Sequence, residues 1–461
     1  MGESESEESK YHLYKRRWFL LAVVALLNIS SAILWINLAP IASLANSYYG
    51  SSSAADTFSI IFMAVGLPTM GLGMWLVDGL GIRPALYIAA LLNFAGAAIR
   101  LLSSLPSLPP TARFPLALFG QVVAAGAQPA VLFLPTKVAG LWFPQTQRAL
   151  ANTLGSMCNP LGIMLAYLSS PVLNVVALIP ASVVLLMALA GVRSSLPPTP
   201  PTASAAAPST PFWPGLKAAL SNKTFLVLTL AAGNGVGVFN ALYTLMEEIT
   251  CVKGYSNAEV GQFGALLILG GLLGAGLSGV LADWTKRFEE ILKIAYAFAA
   301  ASMSFLAVVL LRPGMSWWIR SLCFSFGCFG FAVYPLSLEL GVEVTYPVAE
   351  ATSAGIIICL GQILGIIYLV LVNILSRLEL ASAEDRQRFL SHCTAAPTSP
   401  SQPVVANYRG GTLLLAALCS GAGILLTLAF RPKYRRLEAE QREGRQTESG
   451  SHSDPEGPTR F

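Results

Sequence analysis

Apolar residues in this chain fall into long continuous blocks rather than alternating or one-sided helical patterns. A stretch of about 20 apolar residues spans a bilayer. Blocks of that kind predict helices over 18–40, 57–78, 84–104, 113–136, 146–169, 172–192, 224–247, 259–282, 290–311, 316–340, 352–375 and 411–430. The third to fifth are the hardest to cut, because Pro115, Pro129, Pro135 and Pro160 interrupt or flank them. Between the sixth and seventh blocks the pattern stops. Arg193 to Asn222 carries Pro197, Pro198, Pro200, Pro201, Pro208, Pro211 and Pro214 among Ser, Thr and Ala. Such a segment has too little apolar surface to fold alone and reads as a linker. The chain thus divides into a tail (1–17), a six-helix half (18–192), a linker (193–223), a second six-helix half (224–430) and a tail (431–461) expected to be disordered.

Composition sharpens the class. Of 461 residues 54% are hydrophobic and 11% charged, against about 25% charged in soluble domains. A water-soluble protein is excluded, and an all-α membrane protein of twelve transmembrane helices is expected. The N-terminus does not read as a cleaved signal peptide. An acidic, serine-rich tail, Glu3 to Ser9, leads to Lys15, Arg16 and Arg17 and then a long apolar run without a small-residue cleavage site. The first helix is expected to stay as a signal anchor. An even number of spans puts both termini on one side. Cytoplasmic termini place 20 of the 29 Lys and Arg inside and 9 outside, or 13 against 9 without the C-terminal tail. That bias favours termini in the cytoplasm. The net charge of +5 says little about nucleic acid, because the basic residues border apolar runs.

The few remaining charges repeat. Asp78-Gly79-Leu80-Gly81-Ile82-Arg83 follows the second span, and Gly279-Val280-Leu281-Ala282-Asp283-Trp284-Thr285-Lys286-Arg287 follows the eighth. Each puts an aspartate at an inner helix end with basic residues close behind. This resembles the loop signature of the major facilitator superfamily, with Met74 and Gly79 departing from it in the first copy. The resemblance implies two six-helix halves with substrate bound between them at mid-depth. Asp78, Arg83, Asp283 and Lys286 are the candidates for a gate, each aspartate pairing with an arginine or a helix N-terminus in one access state. The alternative is a helix-end charge that only sets orientation.

A more specific stretch runs Glu339-Leu340-Gly341-Val342-Glu343-Val344-Thr345-Tyr346-Pro347 and on through Glu350, Thr352, Ser353, Ala354 and Gly355. It resembles a segment of the feline leukaemia virus subgroup C receptor family, solute carrier family 49, whose members are linked to choline, ethanolamine and haem transport. Arg16-Arg17-Trp18, Trp35-Ile36, Tyr48-Tyr49-Gly50 and Asp283-Trp284-Thr285-Lys286 extend the likeness over nearly all spans. The resemblance implies a cation site in which Trp35 offers an aromatic face and Gln362 lines the cavity. Two positions depart from the family. Asn240 stands where it has a tyrosine, and Pro160 where it has a glutamine. Tyr243, three residues after Asn240, lies on nearly the same helix face and is the candidate replacement ring. Asn159 can supply polar atoms beside Pro160. The expected cage is Trp35, Tyr243, Gln362, Asn240 and Asn159; the alternative is that these residues only pack helices.

Other signals narrow the function. His12, His392 and His452 all lie outside the spans, so the usual imidazole ligand of haem iron is missing from the path, and an organic cation is preferred over haem. Acidic candidates for ion coupling, Glu247, Glu248, Glu339 and Glu343, sit toward helix ends and fit gate-closing pairs better than mid-membrane proton sites. Facilitated diffusion follows. Five of the seven cysteines fall in helices as small apolar residues; Cys251 and Cys393, in outward loops, are candidates for a disulfide. The sequons at Asn28 and Asn222 fall in a helix and on the inner side, so neither should be used. Glycines from Gly270 to Gly279 lie in an apolar helix and suit close helix contact. Walker motifs, catalytic carboxylate pairs and metal-ligand clusters are absent from the sequence, so neither enzyme activity, a cofactor nor a metal is expected. The expected partners are a small-molecule substrate and the bilayer, with no nucleic acid and a monomeric state. Plasma membrane is the default location and an endolysosomal membrane the alternative. The competing class is a receptor or scaffold that keeps the fold without transport.

Overall fold

The computed structural model describes residues 12–38, 45, 48–50, 54–169, 173–206, 210–378, 407–439 and 441. Among the described residues, twelve long helical units follow the apolar blocks. In the first half they are α1 (Arg16–Ile36), α2 (Ala54–Trp75), α3 (Ile82–Leu102), α4 (Pro110–Trp142), α5 (Arg148–Ser169) and α6 (Leu173–Gly191). In the second they are α7 (Lys223–Cys251), α8 (Asn257–Thr285), α9 (Phe288–Val309), α10 (Ser316–Thr345), α11 (Glu350–Leu378) and α12 (Arg409–Ala429). Ten of the described helices are long and apolar enough to cross a membrane. α5 (Arg148–Ser169) and α6 (Leu173–Gly191) also occupy their places in the series. α4 is two segments, Pro110–Ala125 and Gln128–Trp142, broken at Gly126-Ala127.

Local chemistry explains the helix ends. The Asn222 side chain accepts the Thr224 and Phe225 N–H groups (3.1 and 3.3 Å) and so caps α7. Ser256 and Glu259 form a capping box that starts α8. Both sequon asparagines therefore have structural work. Asn28, 1% exposed, donates to Val24 O and Val131 O. The α8 glycines behave as expected: a methyl group added at Gly274 or Gly270 would strike the backbone of α10, and one at Gly327 of α10 would strike α8. Only hydrogen fits where these backbones touch.

The linker is more ordered than its composition suggests. Polar contacts hold its first part, and Phe212 and Ala219 pack its last part on the core. Arg83 donates to Arg193 O (3.0 Å), Trp142 Nε1 to Ser195 O (3.1 Å) and Arg148 to Thr202 Oγ1 (3.3 Å). Tyr14 pairs with Thr199 at 3.0 Å, and a helix over Phe212–Ser221 leads into α7. The start of the C-terminal tail is also packed rather than loose. Phe430 and Arg436 are buried, and a short helix covers residues 435–439. The side linked to both termini is called the linker face below.

Candidate substrate-binding site

The halves meet on the linker face through buried charges. Asp78, just past α2, accepts the N–H groups of Ala351 and Thr352 (3.2 and 2.6 Å) and the Thr352 hydroxyl (2.6 Å). Its carboxylate thereby caps α11 of the other half. Asp283, at the end of α8, reciprocates by accepting the N–H groups of Ala149 and Leu150 (3.2 and 2.8 Å) at the start of α5. The repeat in sequence is thus a repeat in structure: each half's second helix ends on an aspartate that caps the fifth helix of its counterpart. A carboxylate there gains from the helix dipole, ~0.3–1 kcal/mol exposed and up to ~2 kcal/mol when partly buried, besides its charge-assisted hydrogen bonds.

Cations close the network. Lys137 of α4 reaches Asp78 at 3.0 Å and Glu350 at 2.8 Å, with the three side chains 6%, 4% and 10% exposed. Arg436, from the tail, lies 3.5 Å from Glu350 and donates to Gly140 O and Ser204 Oγ, both at 2.9 Å. One guanidinium thus ties both halves and the linker together. Near Asp283, Arg148 stands 4.0 Å from Glu339, and Lys286 stands 4.0 Å from Asp283 and donates to Gln145 O at 2.8 Å. Glu343 accepts the Leu437 N–H at 3.3 Å.

Five of the six expected gate residues therefore converge: Asp78, Asp283, Lys286, Glu339 and Glu343. Arg83 does not. It is exposed, with its guanidinium on Tyr87 and Arg193 O, and it anchors the linker. The Gly-Ile turn after Asp78 carries it outward, away from the seam. Lys137, Arg148, Glu350 and Arg436 escaped the reading of the sequence. Lys137 was detectable as a lone charge within an apolar run; nothing local marks Arg436.

Beyond the network lies a cavity between the halves. Trp35, Asn159, Asn240 and Gln362 line it, and Asn240 Nδ2 donates to Gln362 Oε1 at 3.5 Å. Tyr243 is not among the residues that line it. The ring stands one turn farther from the linker face than Phe239, on the same face of α7, and stacks on that cavity-lining ring (6.0 Å between centroids, 13° between planes). The second half instead contributes Phe239, Phe331 and Tyr334 to the wall, and the break in α4 brings in Gln128. Among the described residues lining the cavity none is charged. Trp35 stacks on Phe62 at 6.2 Å, and its indole N–H, buried, has no acceptor among the described residues. Tyr296 also borders the cavity, but its hydroxyl is held by Asn234 (3.2 Å) and Ala231 O (2.9 Å). Cys158, Cys323, Cys328, Cys359 and Cys419 are free thiols. The Cys251 and Cys393 side chains, and those of Glu247 and Glu248, lie outside the described residues.

The sequence pattern of the Major Facilitator Superfamily matches residues 20–369. Solute carrier family 49 member A3 of Danio rerio is 38% identical over 444 residues, 94% of this chain and 91% of that protein. Choline/ethanolamine transporter flvcr2b of Danio rerio is 29% identical over 381 residues, 77% of each chain. Among solved structures, the E. coli fucose:proton symporter shares the fold, with a TM-score of 0.61 at 15% identity over 89% of this chain and 97% of that one. The repeated aspartates, the two six-helix halves and the cavity between them agree with these likenesses: the chain belongs to solute carrier family 49 of the major facilitator superfamily and is a multi-pass membrane transporter.

Proposed function

We propose that the chain carries a small organic cation of the choline or ethanolamine type by alternating access, as a facilitative uniporter. The cavity carries this reading. Its described lining has aromatic faces and amides but no charged side chain. A cation over a desolvated aromatic ring gains about 2 kcal/mol, whereas an anion there would meet no basic side chain among the described lining residues. The name of the 29%-identical relative supports the same ligand class. The neutral lining also favours uniport, because it offers no carboxylate to carry a proton at mid-depth.

The Lys and Arg bias of 20 to 9 supports a cytoplasmic linker face. The charge network is then an inner gate, closed in this conformation. Asp78, Asp283, Lys286, Glu339 and Glu343 belong to it, joined by Lys137, Arg148, Glu350 and Arg436. Opening the inner side breaks both helix caps, so the two halves rock together. The plasma membrane is the proposed site. A scaffold without transport would have no use for the cavity beside Trp35.

Uptake of labelled choline, ethanolamine and haem into cells expressing the chain, and into proteoliposomes with and without a proton gradient, tests this. Saturable cation uptake that equilibrates without accumulation and loses affinity in W35A is expected. Uptake of haem alone, or cation uptake identical in W35A, overturns the substrate; accumulation driven by protons overturns uniport.

A further inference from the structure

The first half has little counter-charge of its own. Between Tyr11 and Met246 the sequence has eleven Lys and Arg but only two acidic residues, Asp56 and Asp78. Asp78 is taken by Lys137 and the α11 amides. Asp56 belongs to the opposite end of α2, about 30 Å from Asp78 at the helical rise.

Three arginines of this half nevertheless converge on one turn at the linker face. Arg16, at the start of α1, donates through Nη2 to Gly191 O at 2.6 Å. Arg83, at the start of α3, donates through Nη1 to Arg193 O at 3.0 Å and through Nε to the Tyr87 hydroxyl at 3.3 Å. Its guanidinium lies over the Tyr87 ring at 5.3 Å, and the Tyr87 hydroxyl donates to Val192 O at 2.5 Å. Successive carbonyls at the end of α6 thus each hold a side chain from another helix. The Arg193 guanidinium itself bonds no described group. All three arginines are exposed, and none has a carboxylate partner among the described residues. Basic residues near inner helix ends are ordinary; arginines fixed around one turn are not. Ordering a free surface arginine opposes binding. Arg16 and Arg83 are ordered already, by bonds that leave most of their N–H donors available.

Apolar surface adjoins them. α6 packs on both α1 and α3, and Phe19 covers Gly191 so closely that an added methyl group would overlap its ring. Phe19, Ile88, Leu186 and Leu189 are exposed at 37%, 40%, 66% and 56%, as befits side chains that meet lipid tails on a spanning helix. A ligand that satisfies both surfaces has an anionic head and apolar chains beside it. Arginine favours phosphate for its forked hydrogen bonds, and three guanidiniums exceed the single charge of a phosphodiester.

We propose that Arg16, Arg83 and Arg193 bind a phosphoinositide, a phospholipid whose head carries phosphates beyond its phosphodiester, with its chains along α6. Only the choice of leaflet rests on the cytoplasmic linker face argued above; the contacts do not.

Native mass spectrometry of the full chain in detergent micelles, titrated with phosphatidylinositol bisphosphate, phosphatidylserine or phosphatidylcholine, tests this and is blind to membrane orientation. The bisphosphate should bind about tenfold more tightly than the other two. R193Q, which breaks no described side-chain bond, should weaken it about fivefold, and R16Q/R193Q about 25-fold. R287Q/K433Q removes two exposed charges from the linker face of the second half and should change it by no more than about twofold. Equal losses in the two double variants would reduce the effect to surface charge and overturn the site. Phosphatidylserine or phosphatidylcholine binding as tightly overturns the headgroup. Soluble inositol trisphosphate displacing the lipid at equal concentration makes a free phosphate compound the ligand instead. A gain of about tenfold on changing Glu3, Glu5, Glu7 and Glu8 to glutamine would make the acidic tail the resident anion, which also overturns the lipid.

Discussion

Replacing Lys137 by methionine removes the cation that two carboxylates share. Asp78 and Glu350 would remain on either side of the vacated position at 4% and 10% exposure. Breaking a buried pair by deleting one partner costs ~3–5 kcal/mol, because the other charge stays buried without compensation. The low end applies here. Arg436 still lies 3.5 Å from Glu350, and the α11 amides still hold Asp78. The penalty falls on the conformation with the linker face closed, since opening returns both carboxylates to water. About 3 kcal/mol then shifts the balance toward the open state by roughly 10²-fold. Ser156, buried and lining the cavity, is eight residues into α5, about 12 Å from the linker face at 1.5 Å per residue. With Cys158, Cys359 and Cys419 changed to alanine, S156C should react with a membrane-impermeant thiol reagent applied to the linker face far faster once Lys137→Met is added. Lys137→Arg should restore slow labelling in part. Equal rates with and without Lys137→Met would refute a closed-state role for this network.

D283N keeps the hydrogen-bonding shape but loses the charge on the α5 N-terminus. It should raise S156C labelling in the same direction by about fivefold, for ~1 kcal/mol. R436A removes the tie between tail, linker and Glu350; S156C labelling should rise, and trypsin should cut the linker faster. Trp35→Ala should lower the apparent affinity for cations by about 30-fold, for ~2 kcal/mol of cation–π attraction. Tyr243→Ala, which removes no lining residue of the cavity, should lower that affinity far less than Trp35→Ala does. R83A should leave uptake unaltered while exposing the linker to protease, because Arg83 bonds Arg193 O and not the seam.

The fold was legible because membrane insertion leaves a coarse signature: apolar blocks of bilayer length and a proline-rich break. The two aspartates were legible as a repeat. Their partners were not, because they are backbone N–H groups of α5 and α11, which carry no side-chain signal. Lys137 and Glu350 were in view as letters, yet their distance in sequence hides a 2.8 Å contact. Trp35 and Gln362 came through resemblance and do share a cavity. Tyr243 failed on height: it shares a face of α7 with Phe239, which lines the cavity, but stands one turn farther along the helix. Gln128 and Tyr334 were missed because each sits in an apolar stretch, where one amide or phenol reads as helix packing. The break at Gly126-Ala127 that begins the second segment of α4 shows only in three dimensions.

The cost of a substitution in the linker-face network differs from the cost of opening it. A substitution leaves a charge buried against nothing, whereas opening lets water replace the lost partner. The inward carboxylates and ammonium groups lie at helix ends, where hydration is one rocking motion away, so their attraction can close the face without locking it. The cavity has no such exchange at mid-depth. A carboxylate there would hold a cation by a charge pair in a low-dielectric site, and the ligand would have to leave against that attraction in every cycle. Aromatic faces and neutral amides bind more weakly and more selectively, through shape and hydrogen bonding. A uniporter needs its two access states within a few kcal/mol of each other, with a ligand that biases neither beyond return. Charges at the faces and neutral recognition at the centre meet that requirement together; exchanging their positions would give a tight binder that turns over slowly.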